Sequence, residues 1–283
     1  MSASGFVRSE SRGPVSLITI DRPDRRNALS APVIAALSDA LDVARYDPAT
    51  RAIVLAGAGT AFCSGMDLKE ASRAGPSASA SADAEHAAVA DAQALADLIM
   101  QVHASPKPVI AAIGGDALAG GAGLAMACDL AVAADSARIG YPEVRRGLVA
   151  AIVMHDLIRL VGDRRARWLL LTGEPIDAAE AERWGLVNRV VPATGCLEAA
   201  IALGRSLVEA GPIALATTKK GLDEATGRPR DLRGSAAIGA AVRVSDEAIE
   251  GMAAFLEKRK PTWSAPPADD RTASSRPRDD PSA

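Results

Sequence analysis

Apolar residues recur along this chain at two spacings, and these predict its elements. Val15–Ile20 is a β-rich run with Gly13 and Pro14 before it and Asp21 to Pro23 after it, the pattern of a strand. Over Ala31–Tyr46 the residues Val33, Ile34, Leu37 and Leu41 fall at helical spacing. Ser30 stands at the N-cap and Pro32 in the first turn, which predicts a helix. Short apolar runs at 51–55, Val109–Ile113 and 129–133 predict three further strands. Helical spacing covers 84–103 and then takes over, at 164–171, Ala178–Trp184, 197–210, Pro212–Ala225 and 235–257. Strands alternating with helices predict an α/β core. Segment 71–83 is low in complexity and predicts a surface loop, whereas 262–283 is rich in Pro, Ser, Asp and Arg and predicts a disordered tail. The expected organisation is a flexible N-terminus at 1–13, an α/β core at 14–195, a helical region at 196–261 and the tail.

Composition narrows this picture. Of the 283 residues, 48% are hydrophobic but only 3% aromatic, so the core must be built from Ala, Val, Leu and Ile. A net charge of −3 gives no reason to expect a nucleic-acid partner. Cys63, Cys128 and Cys196 are odd in number and widely spaced, which reads as buried thiols in a reducing compartment. Residues 118–134 are the longest apolar stretch, and glycines and Asp129 interrupt them, so no membrane span is expected. The start of the chain lacks a signal-peptide pattern, and the expected location is cytoplasmic.

Three segments hold candidate chemistry. In residues 113–129 (IGGDALAGGAGLAMACD) a strand runs through a glycine-rich turn into an Ala/Leu/Met helix that begins near Gly120 and Gly121. Unpaired N–H groups and the positive end of the helix dipole suit an anion there, or a negative charge that develops during a reaction. Residues 61–70 (AFCSGMDLKE) hold a tight turn at Ser64 and Gly65, and Tyr141, Pro142 and Glu143 place an acid after a proline. Taken singly, each also reads as a packing turn or a solvated charge. No G-x-G-x-x-G stands in the right context and no P-loop lysine follows Gly120, which argues against a dinucleotide enzyme. No spacing of His, Cys and Asp suggests a metal site.

In their order, DRPDRRNALS (21–30), AFCSGMDLKE, the segment from Pro106 to Ala133, IGYPEVRRGLV (139–149), LLLTGEPIDAAEAERWGLVNRVVP (169–192) and EGMAAFLEKRKP (250–261) resemble the enoyl-CoA hydratase/isomerase family, the crotonase superfamily. The resemblance implies a spiral of ββα units with a C-terminal helical oligomerisation region, assembled as a homotrimer or a dimer of trimers. It implies an acyl-CoA thioester substrate and no separate cofactor, because coenzyme A is part of the substrate. It places an oxyanion hole at the N–H groups of Met66 and Gly120, with Glu143 as acid and base. It places coenzyme A beside Arg25, Arg26 and Ala28, along Ser64, Met66, Asp67 and Leu68, and under Lys258, often supplied by a neighbouring subunit.

The chain departs from the family pattern at two places. Typical hydratases carry a first glutamate where Gly123 stands in the substrate site, so Glu143 is alone. After Gly147 the usual proline and glycine pair give way to a shorter segment containing His155 and Asp156. One carboxylate can move a proton between two carbons, which is 3,2-enoyl-CoA isomerisation; it can also guide water to the β-carbon and return the proton to the α-carbon. The shorter loop with Gly123 resembles a bacterial branch acting on short branched enoyl-CoA such as methylglutaconyl-CoA. Hydration of a short 2-enoyl-CoA is therefore the favoured expectation; isomerisation, or a non-catalytic acyl-CoA-binding role, is the alternative. His155 and Asp156 read as a polar pair at a helix start, His155 also being a candidate acid or base. His86 and His103 are expected at a surface or interface, and Asp129 is expected to be structural.

Overall fold

The computed structural model describes residues 5–71, 82–228 and 231–264. Strands β1 (Val7–Arg12) and β2 (Val15–Ile20) form an antiparallel pair, followed by helix α1 (Ala31–Tyr46). Next come β3 (Ala52–Gly57), β4 (Ala61–Cys63), the short α2 (Leu68–Ala71) and the long α3 (Ala82–His103). The chain continues through β5 (Val109–Ile113), β6 (Asp116–Leu118), α4 (Gly120–Ala127), β7 (Leu130–Ala134), β8 (Arg138–Gly140) and α5 (Met154–Thr172). It closes with β9 (Ile176–Asp177), α6 (Ala178–Trp184), β10 (Arg189–Val191), α7 (Cys196–Leu207), α8 (Pro212–Ala225), α9 (Arg233–Arg243) and α10 (Asp246–Leu256).

Two sheets organise these elements. The larger has the order β1-β2-β3-β5-β7-β10 and the smaller the order β4-β6-β8-β9. From β3 onward the chain repeatedly lays one strand in the large sheet, the next in the small sheet, and then a helix. The units β3-β4-α3, β5-β6-α4 and β7-β8-α5 are the turns of a ββα spiral. Central strands β3 and β5 are parallel to their neighbours and buried on both faces, which is why they read as continuous apolar runs. The parallel small-sheet strands β4, β6 and β8 bring their final residues, or the turns that follow them, to the cavity described below.

Several expectations are corrected. Residues 7–12 are a strand, not part of a flexible N-terminus; β1 is an edge strand held by its backbone ladder, so its exposed Arg8, Ser9 and Glu10 leave no apolar signal. The single helix expected at 235–257 is two, broken at Val244 and Ser245, where the Ser245 hydroxyl accepts the N–H of Ala248 at 3.3 Å. Helix α5 begins at Met154 rather than Arg164, with Gly162 (φ +77°) interrupting its helical geometry and shifting its apolar spacing. The boundary expected at 195 separates α7 from the sheet it covers: Gly204 approaches Val15 and Ile110 closely enough to make α7 part of the core. Helix α9 lies on α3 and α10 on the turn Pro142–Arg146. The loop expected at 71–83 falls mostly outside the described residues, as does the tail from 265; Thr262–Ser264 forms a 3₁₀ turn. No single helix among the described residues is long and apolar enough to cross a membrane.

Candidate functional site

A cavity of about 300 Å³ is walled by the loop after β2, the turn after β4, α3, the start of α4, the turn Pro142–Arg146, and helices α9 and α10. Arg25, Arg26, Ala28, Ser64, Met66, Asp67, Leu68, Gly120 and Glu143 line it together. Gly123 and Lys258 do not contribute to its lining.

Buried Asn27 holds one side of the site. Its Nδ2 donates to the carbonyls of Ala58 (2.9 Å) and Ala61 (2.7 Å), and its Oδ1 accepts the N–H of Arg22 (2.9 Å). That clamp fixes the loop after β2 against β4. Leu29 then pairs with the segment around Met66: the Leu29 N–H donates to Gly65 (2.8 Å) and the Asp67 N–H donates to Leu29 (2.9 Å). Both bonds use the neighbours of Met66, so the N–H of Met66 itself is directed away from Leu29. The same segment abuts α4, because a Cβ added at Gly65 would sit 3.1 Å from the Gly120 nitrogen. At Gly121 an added Cβ would meet the Cys63 carbonyl at 2.3 Å, so only glycine lets the first turn of α4 lie against β4. Ala119, the N-cap of α4, has φ +54° and ψ −131°, a strained conformation for an L-residue that costs roughly 1–3 kcal/mol. The first N–H groups of α4 have no acceptor within the helix.

Glu143 lines the same cavity from the turn that follows β8. The residue is half-buried, but its Oε2 is sealed from solvent with no hydrogen-bond partner among the described residues. Burial lifts its carboxyl to about 7, against the smaller opposing effects of its own backbone and of Arg146. Arg146 stacks on the Phe255 ring at 4.2 Å, its Nε is buried without a hydrogen-bond partner among the described residues, and burial lowers its own pKa. Tyr141 is fully buried, its hydroxyl has no hydrogen-bond partner among the described residues, and desolvation, followed by the charge of Glu143, raises its pKa.

The position expected to hold a first acid is occupied differently. A Cβ at Gly123 would lie 2.0 Å from a Val153 methyl, so the shortened segment after Gly147 fills the space a side chain there would need. Asp67 borders the cavity but turns its carboxylate to Arg22 at 2.9 Å and to the N–H of Lys69 at 3.1 Å. Arg26 pairs with Asp116 at 2.7 Å, and Arg25 lies 3.7 Å from Asp24. Lys258 follows α10 with φ +57°, exposed.

Sequence reasoning missed Arg243, Val153, Phe255 and the organising Asn27. Arg243 lines the cavity from α9 and carries a signal in retrospect: it falls on the buried stripe Ala236, Ala240, Arg243. His103 was expected at a surface or interface but is buried, with Nε2 2.8 Å from the Asp156 carboxylate. That pair belongs to a buried polar cluster. Asp156 also meets Arg159 (3.2 Å) and Arg228 (3.6 Å), while Asp129 accepts from Lys219 (2.8 Å) and from the Val109 N–H (2.8 Å). His155 is exposed, with Nε2 2.8 Å from the Ser235 hydroxyl, and His86 is exposed. All three cysteines are buried and unpaired, and burial pushes the Cys63 thiol up to about 12, which removes it as a nucleophile at neutral pH.

Comparison with known proteins bears directly on this site. A family model described as enoyl-CoA hydratase/isomerase matches residues 10–266. A Thermus thermophilus protein, named provisionally as an enoyl-CoA hydratase, is 41% identical over 254 residues, covering 89% of this chain and 98% of its own. The crystal structure of an enoyl-CoA hydratase from Mycobacterium avium has a TM-score of 0.80 at 36% identity, over 92% of this chain and 100% of that one. A carnitinyl-CoA hydratase from the same organism gives a TM-score of 0.76 at 38% identity, over 93% and 100% of the two chains. Sequence blocks, ββα spiral and relatives agree along almost the whole length, and the chain belongs to the enoyl-CoA hydratase/isomerase family of acyl-CoA enzymes.

Proposed function

We propose that this protein adds water to a short 2-enoyl-CoA, with Glu143 as its one acid and base. The observation that carries the reading is the Glu143 carboxyl, one oxygen of which is sealed with no hydrogen-bond partner among the described residues and whose pKa burial lifts to about 7, on the wall of the cavity that Met66 and Gly120 also line. The thioester oxygen takes the N–H groups of Met66 and Gly120. As a water oxygen bonds to the β-carbon, the double-bond electrons move toward the thioester oxygen, and the two donors and the α4 dipole stabilise the enolate more than the ground state. The Glu143 carboxylate takes the proton the water loses and returns it to the α-carbon, restoring the thioester. Water and enoyl-CoA are consumed and 3-hydroxyacyl-CoA leaves, so one carboxylate closes the cycle.

The coenzyme A portion runs along Arg25, Arg26, Ala28, Ser64 and Leu68, with the cations meeting phosphates. Met66 serves through its backbone and Asp67 through its pairing with Arg22, which steadies the turn. Lys258 reaches the phosphates of a neighbouring subunit's substrate in a trimer or a dimer of trimers. Exposed apolar residues of α8, Ile213 and Leu222, support such an assembly.

A second reading, 3,2-enoyl-CoA isomerisation, is favoured by one observation: Val153 occupies the place of a second acid, and moving one proton between two carbons needs only one carboxylate. The test is to incubate the protein separately with 2-enoyl-CoA and 3-enoyl-CoA thioesters of four to six carbons. Water addition is followed as loss of the conjugated-thioester absorbance, and migration as its gain. Hydration of the 2-enoyl set supports the proposal. Migration without water addition replaces it with the isomerase, and binding with no reaction in either set contradicts both.

A further inference from the structure

We propose that Arg146, held by α10 against the turn that carries Glu143, is the positioning residue that lets this lone carboxyl ionise inside the cavity. The inference rests on the reading of Glu143 as acid and base, and concerns what sets its charge.

Pro142–Arg146 is a 3₁₀ turn, and side chains three residues apart on such a turn eclipse one another. Glu143 and Arg146 are three apart, and both line the cavity. Arg145 between them turns elsewhere, its Nε donating to the Thr172 carbonyl at 2.8 Å and its Nη2 to Glu174 at 3.1 Å. Among the described residues the Glu143 Oε2 and the Arg146 Nε have no hydrogen-bond partner, and the Arg146 Nη1 reaches only the Pro142 carbonyl, at 3.4 Å. The guanidinium therefore acts on the carboxyl through space. A bonded ion pair would hold Glu143 as a weakly basic carboxylate, whereas a nearby unbonded charge leaves it able to take a proton.

Helix α10 fixes the guanidinium from the other side. Phe255 stacks on it at 4.2 Å, which holds an arginine without pairing it to an anion. A Cβ added at Gly251 would meet the Arg146 carbonyl at 2.2 Å, and one at Gly147 would meet the Glu247 carbonyl at 2.7 Å, so α10 and the turn touch backbone to backbone.

Other charges around the site have partners of their own. Asp67 pairs with Arg22, Arg26 with Asp116 and Arg243 with Asp91. On α5, Asp156 is held by His103 and Arg159, and on α10 Glu250 is held by Arg259. Arg25 and Lys69 also line the cavity, and Glu247 borders the turn. Burial disfavours the charged form of Glu143; its own backbone opposes that, and Arg146 is the charged side chain that does so.

The test measures kcat/KM for 2-butenoyl-CoA hydration by the full-length protein from about pH 5 to 9. In parallel, the infrared band of the protonated Glu143 carboxyl, identified by its loss in E143Q, is titrated over that range. R146M is expected to move both midpoints up by about one pH unit or more, and so to lower kcat/KM at pH 6 about tenfold. R146K keeps a charge and is expected to stay within about half a pH unit of wild type. F255L frees the guanidinium to swing toward water and is expected to move the midpoints the same way by less. Where R146M does not fold, R146Q removes the same charge and is expected to act alike. A midpoint unmoved in R146M, R146Q or F255L, or a rate that falls equally at every pH, overturns the proposal. A wild type that does not hydrate, but whose infrared midpoint still rises in R146M, overturns the hydratase reading and leaves the action of Arg146 on Glu143 standing.

Discussion

Glu143 gains protons when the chain folds, because burial lifts its carboxyl from an ordinary 4.5 to about 7. Its contribution to stability is present in full below pH 4.5 and is lost as pH rises through about 7. E143Q is therefore expected to melt above wild type at pH 8 and level with it near pH 4, read by thermal denaturation across that range. In the proposed hydration the same carboxyl must be ionised to accept the water proton, so kcat/KM is expected to climb about tenfold per pH unit and level off above pH 7. Glu143 was legible because a Pro-Glu pair in a family block marks it. Arg243 was not, because an arginine on a helix stripe is indistinguishable in sequence from a solvated cation until α9 is seen lying on α3.

Helices and strands carry the consequences of the missing acid. Val153, just before α5, fills the volume beside Gly123 on α4, so G123E forces a side chain into space held by the Val153 side chain. That substitution is expected to lower stability by about 1–3 kcal/mol with no gain in hydration. Adding V153G is expected to recover much of the loss, both read by denaturant unfolding and by rate. Farther from the cavity, Asp156 joins α5 to α3 through His103. Burial pushes its carboxyl up, but the His103 bond and the charges of His103, Arg228 and Arg159 outweigh that and hold it below 3.8. Its stabilisation is therefore present above pH 3.8 and fades as pH falls below it. D156N is expected to cost about 3 kcal/mol at pH 7, since it strands Arg228 and Arg159, with a smaller difference from wild type in acid. Helices α1 and α8 were legible from their helical spacing, and β2 and β5 from their apolar, β-rich runs. β4, β6 and β8 are three residues each, too short to show a period, and their pairing partners lie far along the chain.

At the scale of the molecule, the ββα spiral brings β4, α4 and the turn after β8 to one end, so residues from 25 to 256 share one cavity. No local pattern encodes that convergence; it follows from which strands enter which sheet. Family blocks pointed to Met66, Gly120 and Glu143 from sequence. The filling of the Gly123 space and the pairing of Asp67 with Arg22 needed coordinates. The most direct test compares wild type and E143Q in 2-butenoyl-CoA hydration, with the dissociation constant of a saturated acyl-CoA measured alongside. E143Q is expected to lose about 10²–10⁴-fold in kcat while acyl-CoA affinity stays within about threefold. Turnover by E143Q within tenfold of wild type would contradict it.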